Sequence, residues 1–183
     1  MATAPTPQGE EIKIFNRRFI WVGTLALVLF VGLGPASQAG VNEPEELVSF
    51  LRIEVPGWQV KEGFPRWERV KGKQGTYLEA QIIYTSGQST LTAVIMEGKV
   101  DDEIAQVKGF PESNNERGYC RKTTVQGFQA IELYEKAKKT GYLFILVAKN
   151  CMIPLEDTQV DSTKPLTDLI SRIDLRRLAV LVK

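Results

Sequence analysis

The residues Tyr142–Ala148 form the longest unbroken apolar run between residue 40 and the C-terminus. The run is rich in β-branched and aromatic side chains, and it ends at the polar pair Lys149-Asn150. A continuous apolar run of this length is typical of a strand that is buried on both faces of a sheet. A sheet covered on both sides needs further layers, and amphipathic segments on either side of the run can supply them as helices.

Apolar and polar residues alternate along Thr76–Thr85, and the alternation resumes along Thr90–Glu97 after the turn residues Ser86-Gly87-Gln88-Ser89. Two alternating segments joined by a short turn predict an antiparallel hairpin. Three or four more strands are predicted in close succession, because turn residues separate the apolar segments Tyr119–Val125, Phe128–Tyr134, Tyr142–Ala148 and Cys151–Leu155. Pro154 suits a strand end or a sheet edge, since it cannot donate to a ladder.

Three amphipathic segments predict helices. The first follows Asn42 and has Pro44 in its first turn, the second opens with three acids after Val100, and the third starts at Pro165. The polar stretches Gly63–Gly75 and Phe110–Gly118 are predicted loops. Together the elements predict an α+β fold, with a mainly antiparallel sheet of about six strands, helices packed on its faces, and one preceding N-terminal hydrophobic helix.

The first 39 residues have the organisation of an export signal. Residues 1–18 are polar, end in Arg17-Arg18 and are predicted to form a disordered n-region. Residues 19–39 contain the uncharged apolar run Phe19–Leu33, followed by the small-residue site Ser37-Gln38-Ala39. A helix of about 15 residues rises only ~22 Å, less than the ~30 Å hydrocarbon core of a bilayer. A cleaved secretory signal peptide is therefore one prediction.

A retained membrane anchor is the other prediction for this segment. If tilted, residues 19–36 can span a bilayer as a single helix with the arginine pair on the cytoplasmic side. Asn16–Ile20 also loosely resembles a twin-arginine signal, so two export routes stay open. In either case residues 40–183 are predicted to be one exported periplasmic domain. It would be soluble after cleavage near Ala39, or anchored to the inner membrane by one N-terminal helix.

Charge and composition exclude several function classes. The formal net charge is +1, and residues 40–183 contain equal numbers of basic and acidic residues, whereas proteins that neutralise a phosphate backbone are clearly basic. The chain contains no histidine, which removes histidine-based catalysis, histidine metal sites and imidazole switches. The acids Asp101-Asp102-Glu103 fit a helix start, because neighbouring helical residues point in different directions. The sequence predicts no nucleic-acid partner, cofactor, metal site or catalytic residue.

Aromatic and basic residues cluster ahead of the predicted hairpin. Trp58 follows a Pro-Gly pair, and Trp67 lies among basic residues in the polar stretch Gly63–Gly75. Aromatic and basic side chains together indicate a binding surface, and ordinary packing of the two indoles is the competing interpretation. The candidate ligand or partner surface consists of Trp58, Trp67, Arg66, Arg69 and Tyr77.

The chain has two cysteines, Cys120 and Cys151. An even number of cysteines in an exported domain indicates a disulfide. In the predicted meander, however, the two residues lie roughly 15–20 Å apart, whereas bridged Cα atoms lie within about 7 Å. A disulfide and a pair of free thiols both stay open.

A resemblance to a known group of proteins covers about a third of the chain. The residues that carry it are Thr123–Phe128, Glu132-Leu133-Tyr134, Gly141-Tyr142-Leu143 with Leu146–Ala148, and Ile173–Leu175 with Leu178-Ala179. In these residues the chain resembles small exported bacterial proteins of unknown function, although Gln129 stands where that group often has proline. The strand order also resembles the sandwich of the PsbP and Mog1 group. That resemblance implies a non-catalytic accessory or binding protein, and it assigns no functional residue.

The leading functional hypothesis is a non-catalytic exported binding or accessory module, which would be a membrane-tethered subunit of a larger envelope complex if residues 19–36 are retained. Its partner would be another envelope or membrane protein. One alternative is a periplasmic protein that binds a small ligand through Trp58, Trp67 and Tyr77. The other is a histidine-free hydrolase with a serine nucleophile, for which Ser86, Ser89 and Ser113 have no recognisable catalytic setting.

Overall fold

The computed structural model describes residues 43–72 and 74–183. Within this part of the chain, nine strands hold 46% of the residues and four helices hold 21%. The elements in chain order are α1 (Pro44–Leu51), β1 (Gln59–Val60), β2 (Arg66–Lys71), β3 (Thr76–Ser86), β4 (Ser89–Gly98), α2 (Asp101–Lys108), β5 (Ser113–Asn115), β6 (Gly118–Val125), β7 (Phe128–Glu135), β8 (Thr140–Ala148), β9 (Cys151–Thr158), α3 (Lys164–Ile170) and α4 (Leu175–Leu181).

All nine strands belong to one antiparallel sheet. Eight of them follow the order β1-β3-β4-β9-β8-β7-β6-β5, and the ninth, β2, lies off this path. Strands β1 and β2 both pair with the same edge of β3. Strand β1 pairs with Tyr84 and Thr85, and β2 pairs with Thr76–Gln81. Strands β6 to β9 form the predicted meander, and β3 with β4 forms the predicted hairpin. The pairing of β4 with β9 joins these two units into one sheet.

The fold class predicted from the sequence, an α+β domain with about six strands, is wrong. The described residues are mostly antiparallel sheet, with nine strands and only short helices. Strand β2 lies in the stretch Gly63–Gly75, and β5 lies in Phe110–Gly118, both of which were predicted to be loops. Because β2 is an exposed edge strand, it lacks the alternation of apolar and polar residues by which half-buried strands are recognised.

Pro154 lies inside β9, in the interior of the sheet, and not at the predicted strand end or sheet edge. The ladder from β9 to β8 continues through Pro154, which pairs with Phe144. The ladder from β9 to β4 omits Val94, which lies opposite the proline, and its neighbour Ile95. The missing N–H of Pro154 accounts for this interruption, because proline cannot donate to a neighbouring strand.

One face of the sheet carries the main core. Helices α1, α3 and α4 pack on this face, and their stripes of buried residues include Leu47, Leu169 and Leu178. Alternate residues of the central strands, such as Leu143 and Ile145 of β8, point into the same core. The other residues of β8, among them Phe144, are also buried or half-buried. The prediction that Tyr142–Ala148 is buried on both faces is confirmed.

The turn between β6 and β7 fixes the position of α3. Gln126 and Gly127 have φ angles of 51° and 89°, as a two-residue type I′ turn requires. The Gln126 Nε2 atom donates to the backbone oxygens of Ile170 and Ile173, at 3.0 and 2.8 Å. The turn therefore adds a side-chain donor to two carbonyl groups at the end of α3, which also accept from the backbone N–H groups of Ile173 and Leu175.

The predictions for residues 1–39, a disordered n-region followed by a signal peptide or an anchor helix, lie outside the described residues. In the described part of the chain, none of the helices is both long and apolar enough to cross a bilayer.

Candidate functional site

Strand β2 is an edge strand whose residues are exposed, apart from the half-buried Val70. Its pairing with β3 starts at the hairpin between them, where the Gly72 N–H donates to the Gly75 oxygen at 2.8 Å. Hydrogen-bonded and non-hydrogen-bonded pairs alternate along an antiparallel ladder. Starting from Gly72, the residues that bond to β3 are Val70, Glu68 and Arg66.

The remaining residues of β2 direct their backbone N–H and C=O groups away from β3. These residues are Trp67, Arg69 and Lys71, and we call the free side of β2 at these three positions the open edge. Among the described residues no strand pairs with this side of β2. The open edge thus presents unpaired donors and acceptors at alternate residues, which is the pattern that an added strand would satisfy.

The side chains on the open edge are an aromatic residue and two cations. Trp67 is 42% exposed, and its Nε1 atom donates to the Glu45 Oε1 atom of α1 at 3.2 Å. This bond orients the indole while leaving much of the ring in solvent. Arg69 and Lys71 are exposed and form no ion pair with a described residue. The open edge therefore carries two cations beside an exposed indole that the Glu45 carboxylate contacts.

Arg66 lies on the other face of β2. Its guanidinium donates to the Gln81 Oε1 atom at 3.1 and 3.3 Å and lies 4.9 Å from the centre of the Phe64 ring. These contacts hold Arg66 against the sheet, so its side chain does not join the open edge.

Trp58 lines a shallow groove beside β1. A turn at Val55–Trp58 places the half-buried indole there, with the Trp58 N–H donating to the Val55 oxygen at 3.0 Å and Gly57 at φ 81°. The groove has a volume of about 370 Å³ and is lined by Trp58, Val55, Pro56, Pro165, Asp168 and Arg172. A second hollow of about 310 Å³ shares Trp58 and continues towards Val60 and Tyr84.

Tyr77 is buried on the face of the sheet opposite Trp67. Burial raises the pKa of its hydroxyl, and the neighbouring Glu79 carboxylate raises that pKa further. The structure thus separates the five residues predicted as one surface. Trp67 and Arg69 lie on the open edge, Trp58 lies in the groove near β1, Arg66 lies on the far face of β2, and Tyr77 is internal.

Glu132 is a buried carboxylate that no sequence pattern marks as a site residue. Its side chain accepts hydrogen bonds from Tyr119 at 2.7 Å, Thr163 at 2.5 Å and the Arg121 guanidinium at 2.9 and 2.8 Å. Burial alone would raise the pKa of Glu132, but the hydrogen bonds from Thr163, Tyr119 and Arg121 outweigh it and the pKa is lowered. Every partner is a donor that favours the ionised form, so the cluster fixes β6, β7 and the start of α3 together.

Asp157 is a second buried carboxyl, and it is unpartnered. The residue is 0% exposed, and neither of its side-chain oxygens has a hydrogen-bond partner among the described residues. It lies on the core face of β9, between Leu91 of β4 and Gly141 of β8. Burial raises the pKa of Asp157 to about 7, an effect that the nearby Thr158 N–H only partly offsets and the Glu156 carboxylate increases.

Cys120 and Cys151 are both free and buried. They lie on β6 and β9, which are separated by β7 and β8. Three strand spacings of about 4.8 Å keep the two residues well beyond the range of a disulfide within one chain. Burial raises the pKa of both thiols, most strongly that of Cys151, which also faces the negative charge of Glu97.

The described residues contain no group of three or more histidine, cysteine, aspartate or glutamate side chains placed to hold a metal ion. The acids Asp101, Asp102 and Glu103 occupy the first turn of α2, and Asp102 accepts a hydrogen bond from Gln74. Of the serines considered for a hydrolase, Ser86 and Ser89 flank the β3–β4 turn and Ser113 begins β5. The Ser89 hydroxyl donates to the backbone oxygen of Gln159 at 3.2 Å.

Comparisons with known proteins return no match to a protein-family model, a curated protein or a solved structure. The resemblance to small exported bacterial proteins and to the PsbP and Mog1 group therefore stays a prediction.

Proposed function

We propose that the chain is a non-catalytic binding module that works as an accessory subunit of an envelope complex. Its partner is another envelope or membrane protein, and its binding surface is the open edge of β2. The observation that carries this proposal is the exposed Trp67 indole, oriented by Glu45 beside backbone groups that pair with no described strand.

The chemistry of the open edge matches the residues that dominate protein interfaces. Tryptophan and arginine are enriched at energetically important interface positions, and Trp67 and Arg69 are both exposed there. An indole held in place by Glu45 loses little further freedom on binding, which favours association. The placement outside the cytoplasm is supported by the sequence pattern of residues 17–39.

Site-specific photocrosslinking of the full chain in its native cells tests the proposal. A photoreactive amino acid in place of Trp67 is expected to give a discrete adduct with one partner protein. The matched control is the same replacement at Val180, which is 68% exposed on α4, away from β2. The proposal is wrong if the Trp67 position yields no adduct, or yields the same adducts as the Val180 position.

Binding of a small ligand in the groove at Trp58 is a second candidate function, favoured by a volume of about 370 Å³ beside an aromatic side chain. A thermal-shift screen of the full chain is expected, on this alternative, to find a compound that raises Tm. That shift would disappear in Trp58→Ala and persist in Trp67→Ala. A compound series without any Trp58-dependent shift would count against the alternative.

A further inference from the structure

We propose that the open edge binds an extended, acidic segment of the partner protein, which joins the sheet as an additional strand beside β2. This inference rests on the proposed function and names the chemistry of the partner. Its support comes from three properties of β2, which are its backbone, its charge and its exposed indole.

The backbone of β2 offers a short, regular set of hydrogen-bonding groups. Trp67, Arg69 and Lys71 present N–H and C=O groups at every second residue, so successive groups lie about 6.6 Å apart along the strand. A partner segment in extended conformation repeats its own groups at the same spacing. β2 ends at its hairpin with β3 on one side and is separated from β1 by residues 61–65 on the other. The added strand would therefore be about five or six residues long, within the usual range for strands.

The positive charge of β2 favours an acidic partner segment. Its residues Arg66, Arg69 and Lys71 are basic and only Glu68 is acidic. The two cations of the open edge point to one face of the sheet, because residues two positions apart share a face. Residues of the added strand that face the same way would meet Trp67, Arg69 and Lys71 in turn. The matching segment therefore has an apolar residue and two acidic residues at alternate positions.

The exposed indole of Trp67 distinguishes an edge that binds a partner strand from an edge that is only protected against pairing. Charged side chains on an edge strand discourage uncontrolled pairing, and Arg69 and Lys71 alone would provide that protection. Trp67 instead adds exposed apolar surface to the same edge, which protection does not need. Its bond to Glu45 keeps the ring over the α1 side, where the apolar residue of an added strand would pack.

Titration of the full chain with a defined peptide tests the inference. The probe is a capped seven-residue peptide in which leucine, glutamate and aspartate occupy alternate positions between threonines, labelled for fluorescence anisotropy. Arg69→Glu/Lys71→Glu is expected to weaken binding of this peptide at least tenfold and to favour a version with lysine in place of the acids. Lys149→Glu changes an exposed cation in the β8–β9 turn, away from β2, and is expected to leave the affinity unchanged.

Backbone methylation of the probe tests strand addition itself. In an added strand, only alternate amides of the peptide bond to β2. N-methylation of one alternate set should abolish binding, and methylation of the other set should preserve it. Equal effects of the two sets, or equal binding of the acidic and lysine peptides, would overturn the inference. If the Trp67 crosslink nevertheless forms in cells, the proposed function stands and only the acidic-strand chemistry fails.

Discussion

Burial of the Asp157 carboxyl is unfavourable for the free energy of folding, and the other core contacts have to offset it. An ionised carboxyl without hydrogen-bond partners is unfavourable in an apolar interior, and Asp157 is 0% exposed with both oxygens unpartnered. Its pKa of about 7 in the folded chain lies above the value of about 3.9 expected in the unfolded chain. The folded state therefore holds the Asp157 proton at pH values at which the unfolded state has released it.

The stability of the chain is expected to depend on Asp157 between pH 4 and pH 7, approximately the range bounded by the two pKa values. Below this range both states are protonated at Asp157 and the cost is absent. As the pH rises through the range between the two pKa values, the free energy of unfolding falls by up to about 4 kcal/mol, at 1.36 kcal/mol per pH unit. In Asp157→Asn this fall should be lost, so that the variant is more stable than the parent chain at pH 8 and similar to it at pH 4.

Urea unfolding of the full chain at several pH values measures the effect. Glu116→Gln is the matched control, because Glu116 is an exposed acid outside the core. Parallel pH profiles for Asp157→Asn and the parent chain would contradict the assignment.

The sequence could not identify Asp157 as a core residue. It follows Glu156 and precedes Thr158, so the chain there looks like a polar linker, and the strand was predicted to end at Leu155. Carboxyl groups are almost never fully buried without a partner, so no pattern rule places one in a core. Glu132 was missed for a related reason, since its donors Thr163 and Arg121 come from distant parts of the chain.

Strands whose apolar and polar residues follow a regular pattern were predictable from the sequence, and strands without such a pattern were not. The hairpin β3–β4 and the meander β6–β9 follow apolar and polar positions that alternate or run together, and both are present. Strand β2 has the sequence Arg-Trp-Glu-Arg-Val-Lys, in which polar residues occupy both faces. Its extended conformation is imposed by pairing with β3. The binding candidates Trp67 and Arg69 were therefore found by residue type, while the open edge itself required the structure.

The β6–β7 turn should stabilise α3 through a single side chain. We expect Gln126→Ala to lower the free energy of unfolding by about 1–3 kcal/mol more than Gln159→Ala, because the two side-chain hydrogen bonds to the carbonyls of Ile170 and Ile173 are lost, at about 0.5–1.5 kcal/mol each. Both glutamines have a positive φ, 51° and 60°, so both alanine variants bear a similar backbone cost. Chemical denaturation of the two variants gives the comparison. Equal losses would show that the Gln126 side chain contributes nothing beyond its backbone conformation.

At the scale of the whole molecule, the compartment in which residues 40–183 lie decides which partners the open edge can meet. We expect residues 40–183 to lie outside the cytoplasm, so that protease added to spheroplasts of a bacterial host digests them without lysis. Arg17→Glu/Arg18→Glu should reduce this digestion, because basic residues ahead of an apolar segment stay on the cytoplasmic side. Protection of the parent chain until lysis would contradict export. The intact mass of the undigested protein, recovered from membrane and soluble fractions, then separates cleavage near Ala39 from a retained Phe19–Leu33 segment.

The antiparallel ladder between β4 and β9 also has a consequence for how the chain acquires its structure. Nearly every other contact between strands joins neighbours in sequence, whereas this ladder joins Thr90–Glu97 to Cys151–Thr158. Bringing such distant segments together costs more chain entropy than closing a hairpin, so the pairing of β4 with β9 is expected to limit the folding rate. The hairpin and the meander would form early and meet late. A cut in the connection between α2 and β5 would then leave two fragments, each with complete local pairings, that reassemble through the β4–β9 ladder and the shared core.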